Sequence, residues 1–179
     1  MKLYKTVVMC LLGGCATLLQ AASFDPPRLK LEPLARFSVD LVAPIWELGV
    51  TSGLGKRRII PITGGHFAGP RLKGKILDSG ADWQVVTPDG VAIIDTRYLL
   101  QTDDGALIYL RTEGFRFGPP EVMKQVAAGA DVDPSRYQFR LTLRFETSAP
   151  QYAWLNSTVG VGGAMRLGNA VVYDAFELK

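Results

Sequence analysis

The segment Tyr137-Gln138-Phe139-Arg140-Leu141-Thr142-Leu143-Arg144-Phe145-Glu146 decides the fold class of this 179-residue chain. Aromatic and aliphatic side chains alternate with polar ones along its whole length, which is the two-residue period of a β-strand with one buried face. Residues 35–41 show the same period. Further short segments that we predict as strands occupy residues 57–62, 72–77, 83–87, 91–100, 106–112 and 170–178.

The junctions between these segments favour antiparallel pairing. Pro88-Asp89-Gly90 and Thr102-Asp103-Asp104-Gly105 place Asp-Gly at a corner, which is typical of tight hairpins. One helix is predicted over residues 119–128, because prolines stand at its start and Gly129 follows its end. A sheet of about eight or more strands tends to curl and close, since closure removes exposed edges. We therefore expect an all-β, mainly antiparallel β-barrel, closed or nearly closed, with one short helix; a two-sheet sandwich is the alternative.

The first residues have the layout of a secretory signal peptide. Lys2 and Lys5 precede an apolar run over residues 6–19, and small residues follow at positions 21–23. The run is shorter than the roughly 20 residues that a membrane-spanning helix needs. We expect residues 1–22 to be removed on export to the periplasm or the exterior. Residues 23–179 would then form a single barrel domain with no membrane span in the mature form.

A second interpretation of the same region is lipid attachment. Leu12-Gly13-Gly14-Cys15 resembles the lipobox of bacterial lipoproteins, in which the cysteine carries the lipid and becomes the new N-terminus. Cys10 and Cys15 are the two cysteines of the sequence. Ordinary cleavage near residue 22 therefore leaves a domain without disulfides, held together by its hydrophobic core.

Composition argues against several functional classes. The formal net charge is +3, and loss of Lys2 and Lys5 lowers it to +1, so no electrostatic footprint for nucleic acid remains. His66 is the one histidine, which is too few for a zinc site, and we expect it to have a surface or structural role. Gly160-Val161-Gly162-Gly163 lacks the Lys-Ser/Thr ending of a phosphate loop and is predicted to form a bend or bulge. We predict no cofactor and no metal.

Several motifs follow one another along the chain in a fixed order. They are Arg58-Ile59-Ile60-Pro61-Ile62-Thr63-Gly64-Gly65, Phe67 with Gly69-Pro70-Arg71-Leu72, Gly80-Ala81-Asp82-Trp83-Gln84, Asp95-Thr96-Arg97-Tyr98, Thr102-Asp103-Asp104-Gly105-Ala106, Gly118-Pro119-Pro120-Glu121-Val122, Phe145-Glu146-Thr147 and Tyr152-Ala153-Trp154-Leu155-Asn156. In this order the chain resembles the family known as domain of unknown function 3237, over almost all of its length after the leader. The resemblance implies a compact β-barrel with a cavity, in outline like lipocalin-type or cyclase barrels. It implies no mechanism.

Charged residues inside a predicted strand are the first candidates for a site. Asp95 and Arg97 lie within residues 91–100, with apolar residues on both faces of the strand. A buried charge costs several kcal/mol unless it is paired, so Asp95 should have an arginine partner, Arg97 or Arg71. In the structural interpretation this pair only holds the sheet together.

The functional interpretation gathers the polar residues around a cavity. Its candidate acids and bases are Asp82, Asp95 and Glu146, and its candidate ligand-binding residues are Arg71, Trp83, Arg97, Tyr98, Tyr152, Trp154 and Asn156. Mostly apolar walls with a few convergent polar groups are typical of small-molecule pockets. If residues 152–156 form a strand, Tyr152, Trp154 and Asn156 share one face. The same aromatic residues are equally suited to a barrel core.

Two functions of different classes follow from these residues. The first is an exported barrel that binds a small apolar or aromatic molecule in its cavity, with Arg71 or Arg97 orienting the ligand. The second is a cofactor-free isomerase, cyclase or lyase, in which a buried carboxylate works with an arginine partner. The sequence leaves the ligand, the reaction and the oligomeric state open.

Overall fold

Strands make up most of the part of the chain that the computed structural model describes, residues 25–42, 44–51 and 53–179. The predicted leader, with Cys10 and Cys15, lies outside the described residues. The strands are β1 (Leu31–Leu41), β2 (Trp46–Thr51), β3 (Gly55–Ala68), β4 (Lys73–Ile76), β5 (Gly80–Asp82), β6 (Val85–Val86), β7 (Ala92–Thr102), β8 (Leu107–Phe117), β9 (Gln138–Glu146), β10 (Gly160–Arg166) and β11 (Ala170–Leu178). One α-helix, α1 (Pro120–Ala127), joins β8 to β9, and 3₁₀ helices cover Pro134–Arg136 and Pro150–Ser157.

The sheet closes on itself as an antiparallel barrel. Its order is β1, β11, β10, β9, β8, β7, then the short strands β4, β5 and β6, then β3, which pairs back with β1. With β4 to β6 counted as one position, the barrel has eight strands, and β2 extends the sheet from β3. The predicted β-barrel is therefore confirmed. Within the described residues, no helix has the length and apolar character that a membrane crossing requires.

Barrel closure depends on a glycine in the β1–β3 pair. Gly65 has φ +129°, and a Cβ at this position would lie 2.1 Å from the Ser38 carbonyl oxygen. Gly65 stands opposite Val39 in β1 and opposite Ile76 in β4, so both neighbouring strands approach it. Only a residue without a side chain allows this approach.

The inward face of each long strand fills the barrel with side chains. Alternate residues of β7 from Ala92 to Thr102 are buried, as are the apolar residues of β9. The Phe37 ring stacks between those of Phe67 and Tyr173, at centroid distances of 5.2 and 4.7 Å. The cavity that remains inside has a volume of about 30 Å³, close to the volume that one molecule occupies in liquid water.

Two local predictions are wrong. Residues 160–163 belong to strand β10 and do not form a bend. Residues 152–156 lie in the 3₁₀ helix Pro150–Ser157 and not in a strand. Pro150 starts this helix, and Asn156 and Thr147 exchange two hydrogen bonds of 2.8 and 2.9 Å that hold its ends together.

Candidate functional site

The ten predicted site residues lie in three separate parts of the barrel. Asp82 and Tyr98 point into the interior, and Trp83, Asp95 and Arg97 lie on the outer face of the sheet. Arg71, Glu146, Tyr152, Trp154 and Asn156 lie around the 3₁₀ helix Pro150–Ser157. They do not surround one cavity.

Asp95 is held in ion pairs on the outer face. Its carboxylate lies 3.1 Å from Nη2 of Arg97 and 3.2 Å from Nε of Arg111. The Arg97 guanidinium also lies 5.4 Å from the centre of the Trp83 ring. Arg97 is therefore a partner of Asp95, which was one of the two pairings predicted from the sequence. Arg71, the other predicted partner, is not paired with Asp95.

Arg71 belongs to a structural cluster at the chain end. It forms an ion pair with Glu177, and its guanidinium stacks 3.8 Å from the Trp154 ring centre. Lys179 lies 2.7 Å from the other carboxylate oxygen of Glu177. The hydrogen bond from Lys179 and the charge and hydrogen bond of Arg71 lower the pKa of Glu177. These contacts fasten the end of β11 to the loop before β4.

The remaining predicted residues make local contacts. The Tyr152 hydroxyl lies 3.3 Å from a carboxylate oxygen of Asp104. Glu146 and Asn156 are exposed and border a shallow recess. His66 is exposed on β3. In the ranges that the structure describes, no three His, Cys, Asp or Glu side chains come together as a possible metal site.

A large recess crosses the outer face of the sheet from β7 to β11. Two neighbouring rows of outward residues pass through it: Asp95, Glu113, Thr142, Val161 and Phe176 form one, and Ile93, Phe115, Arg140 and Gly163 the other. Its volume is about 760 Å³. We call it the outer groove; its apolar walls come from Leu31, Leu54, Trp83, Val85, Ile93, Phe115, Val161 and Phe176, and its charged groups from Arg57, Asp95, Glu113 and Arg140.

Small residues open the outer groove among large ones. Gly163 stands beside Arg140 in the adjacent strand, and no atom lies within 4 Å of the position that a Cβ on Gly163 would take. Phe115, Leu31 and Leu54 border this space and are 54–57% exposed. Apolar side chains exposed together in this way mark a binding surface more often than ones scattered singly do.

The interior contains a carboxyl group away from solvent. Asp82 is 9% exposed and accepts hydrogen bonds from Nε2 of Gln84 (2.9 Å) and from the backbone N–H of Asp95 (3.2 Å). Burial raises the pKa of Asp82 to about 6, against the opposing effects of these hydrogen bonds and of the Arg116 charge. Asp82 also borders the small interior cavity, together with Thr96 and Tyr98.

Three arginines lie near this carboxyl group, and we call Arg58, Arg116 and Arg166 the arginine cluster. Arg116, on the inward face of β8, is 6% exposed. Burial, reinforced by the charges of Arg166 and Arg58, lowers the pKa of Arg116 to about 10, so the side chain remains a cation at neutral pH. Burial lowers the pKa of Arg166 as well.

Comparison with known proteins gives the family. A family model described as "Protein of unknown function (DUF3237)" matches residues 29–178. The chain belongs to the DUF3237 family. A UPF0311 protein of Rhodopseudomonas palustris strain TIE-1 is 41% identical over 126 residues, which cover 70% of this chain and 82% of that protein. A UPF0311 protein of Clostridium acetobutylicum is 37% identical over 151 residues, which cover 84% of this chain and 95% of that protein.

A solved structure agrees with the fold. The crystal structure of a beta-barrel like protein from Acinetobacter baumannii has a TM-score of 0.78 and 66% sequence identity, and the match covers 88% of this chain and 100% of that one. The names of these relatives describe a family and a barrel, not an activity. The function of this DUF3237 protein must therefore be inferred from its groove and its interior.

The arginine cluster and most of the outer groove were not among the predicted residues. One signal for the cluster was present, because Arg58 alternates with Ile60 and Ile62 and so shares their inward face. Arg116 was not predicted to face inward, because the predicted strand ended at residue 112, whereas β8 continues to Phe117. The groove depends on register between five strands, which a single sequence does not reveal.

Proposed function

We propose that this protein binds a small apolar or aromatic molecule, and that the outer groove is its binding site. The observation that carries the proposal is the size and lining of the groove. Its volume of about 760 Å³ falls within the roughly 300–1,000 Å³ of small-molecule pockets, which are likewise mostly apolar with a few polar groups. The interior cavity beside Asp82 and Tyr98 has a volume of about 30 Å³. The ligand-binding site therefore fits the outer face better than the interior.

Charge in the groove favours a ligand with an acidic group. Asp95 and Glu113 are neutralised by Arg97 and Arg111, at ion-pair distances of 2.6–3.2 Å. Arg57 and Arg140 have no carboxylate within 4 Å among the described residues.

Arg57 and Arg140 are also able to bind a ligand. Their side chains donate to the carbonyl oxygens of Trp83 and Phe139, respectively. A guanidinium has five N–H donors, so each retains donors for a ligand. We therefore propose that these two side chains, rather than Arg71 or Arg97, orient an aromatic acid.

A fluorescence titration with 8-anilinonaphthalene-1-sulfonate tests the proposal, because this probe is an aromatic anion that brightens in apolar sites. We expect saturable binding to the wild-type protein. Gly163→Leu should weaken it, since the open space above Gly163 accepts a leucine side chain that blocks the part of the groove beside Arg140. Ala68→Leu is the control, because it places the same leucine side chain at an exposed strand position outside the groove.

Two outcomes contradict this assignment. Equal probe binding to wild-type and Gly163→Leu proteins places the probe elsewhere. The groove is an interface instead if a second copy of the chain covers it in solution. Light scattering would then show a dimer, and the β8 and β10 amides would exchange more slowly on dimerisation.

Export remains part of the proposal. It rests on the layout of residues 1–22, with Lys2 and Lys5 before an apolar run. Intact mass spectrometry of the protein from periplasmic and secreted fractions should give an N-terminus near residues 22–24. A mass that corresponds to a lipidated Cys15 supports the lipid-anchored alternative, and a full-length chain in the cytoplasm contradicts export altogether.

One observation favours the second candidate, a cofactor-free isomerase, cyclase or lyase. Asp82 is a buried carboxyl group with a raised pKa beside the arginine cluster, which is the combination that such a proton transfer requires. A substrate atom must then reach Asp82 through an opening larger than the present cavity. Carbodiimide labelling of the folded protein, followed by peptide mapping, tests this access. An adduct on Asp82 supports access, and an Asp82 that is fully protected from labelling excludes this candidate.

A further inference from the structure

The interior contains polar atoms that the described residues do not satisfy. Nε of Arg116 and Oε1 of Gln84 are buried and have no hydrogen-bond partner among the described residues. Arg116 is 6% exposed and Gln84 is 1% exposed. Buried polar groups are nearly always paired, so unpaired ones point to a missing partner.

The charges around these atoms are unbalanced. Arg58, Arg116 and Arg166 bring three positive charges to one end of the barrel, and Asp82 is the buried carboxyl group among them. Asp82 accepts its hydrogen bonds from Gln84 and from a backbone N–H, not from an arginine.

Few other groups balance the positive charges of the three arginines. Arg58 forms an ion pair with the exposed Glu47 at 3.2 Å. Arg166 donates to the backbone carbonyls of Leu167 and Ala170. Neither Arg116 nor Arg166 has a carboxylate within 4 Å in the ranges that the structure describes.

We infer that the arginine cluster binds a small oxyanion, either a carboxylate group or inorganic phosphate, with Nε of Arg116 as its innermost donor. An oxyanion supplies both the acceptor that Arg116 lacks and the negative charge that the cluster lacks. Arg58 and Arg166 are only partly buried and would contact the anion from the side nearer solvent. This site lies on the inward face of the sheet and is independent of the outer groove.

Gln84 and Asp82 limit what the site accepts. The Gln84 amide can rotate so that Nε2 faces the cluster, and Oε1 then accepts a hydrogen bond from the O–H group of a neutral Asp82. An ionised Asp82 repels the anion and competes for the arginine charge. Asp82→Asn should therefore tighten anion binding, whereas Arg116→Gln should weaken it.

The test uses sodium phosphate and sodium formate as probes, each titrated into the full mature chain at constant ionic strength. Binding is followed through the ¹⁵N–¹H resonance of the Arg116 Nε–H group in the proteins that retain this arginine, and through the side-chain amide resonances of Gln84 in Arg116→Gln. We expect a saturable shift with at least one probe. Loss of one charge-assisted hydrogen bond in Arg116→Gln should weaken binding about tenfold or more.

Control variants separate this site from general salt effects. Arg36→Gln removes an exposed arginine that is paired with Asp174 and should leave anion binding unchanged. Arg58→Gln, at a partly exposed position, replaces Arg116→Gln if the latter does not fold. A shift with formate alone identifies a carboxylate site, and one with phosphate alone a phosphate site. No saturable shift with either probe, or equal affinity in the wild-type, Asp82→Asn and Arg58→Gln proteins, overturns the inference.

Discussion

Asp82 shows how a single buried residue links stability to pH. Its pKa is raised to about 6 in the folded protein, and an aspartate in an unfolded chain has a pKa of about 3.9. Between these values the folded state retains a proton that the unfolded state releases. The free energy of unfolding should therefore fall as pH rises from about 3 to about 7, by about 3 kcal/mol in total, because the two pKa values differ by about two.

Asp82→Asn should remove this pH dependence, because the amide does not titrate. Chemical denaturation at several pH values measures the difference in unfolding free energy between the variant and the wild type. This difference should change by about 3 kcal/mol between about pH 3 and pH 7 in favour of the variant, and then level off. Asp78→Asn, at an exposed position, is the control. Parallel pH curves for the wild-type and Asp82→Asn proteins would show that Asp82 is not buried as an acid.

The tyrosine pair inside the barrel permits a second residue-scale prediction. The hydroxyl groups of Tyr98 and Tyr173 lie 2.6 Å apart, and both side chains are 2% exposed. Tyr98→Phe leaves the Tyr173 hydroxyl buried without its partner, which should cost about 1–3 kcal/mol. The double variant, which replaces both tyrosines by phenylalanine, should cost less than the sum of the two single changes. Additive losses in denaturant unfolding would mean that the two hydroxyls do not interact.

At the scale of elements, the short strand β5 is positioned by a glycine. A Cβ on Gly80 would lie 1.9 Å from the Arg97 carbonyl oxygen in β7. Gly80→Ala should therefore disrupt the pairing of β5 that holds Asp82, and lower the unfolding free energy by about 2 kcal/mol or more. Gly163→Ala is the matched control, since its Cβ meets no atom within 4 Å. Equal stability of the two variants in urea unfolding would contradict this packing.

The elements differ in how well the sequence predicts them. The alternation over 137–145 gave β9 almost to the residue, because a strand with one buried face has a clear two-residue period. Residues 170–178 were predicted as a strand with the same bounds as β11. β10 was missed because its glycines mask that period: Gly160 and Gly162 face inward, where Leu143 and Tyr173 occupy the space that side chains would fill. The 3₁₀ helix after Pro150 was missed because its hydrogen bonds to Thr147 are not visible in the spacing of Tyr152 and Trp154.

At the scale of the whole molecule, the sequence predicted the barrel but not which side of the sheet carries a site. Residues of one strand divide between the two faces, so Asp82 enters the interior while its neighbour Trp83 lies outside. Asp82, Trp83 and Asp95 were predicted as site residues from their type alone. Their separation into a groove and an interior cluster follows from the register of β5 against β7, which is a property of the closed barrel.

The central claim, that the outer groove holds a small apolar or aromatic molecule, is tested most directly by native mass spectrometry of the protein purified without denaturation. The wild-type and Ala68→Leu proteins should carry the same bound small molecule, released on activation and identifiable by its mass. Gly163→Leu should carry less of it, because its side chain blocks the part of the groove beside Arg140. The same molecule bound equally to Gly163→Leu, or no bound molecule in any of the three after exposure to an extract of the source cells, would contradict the claim.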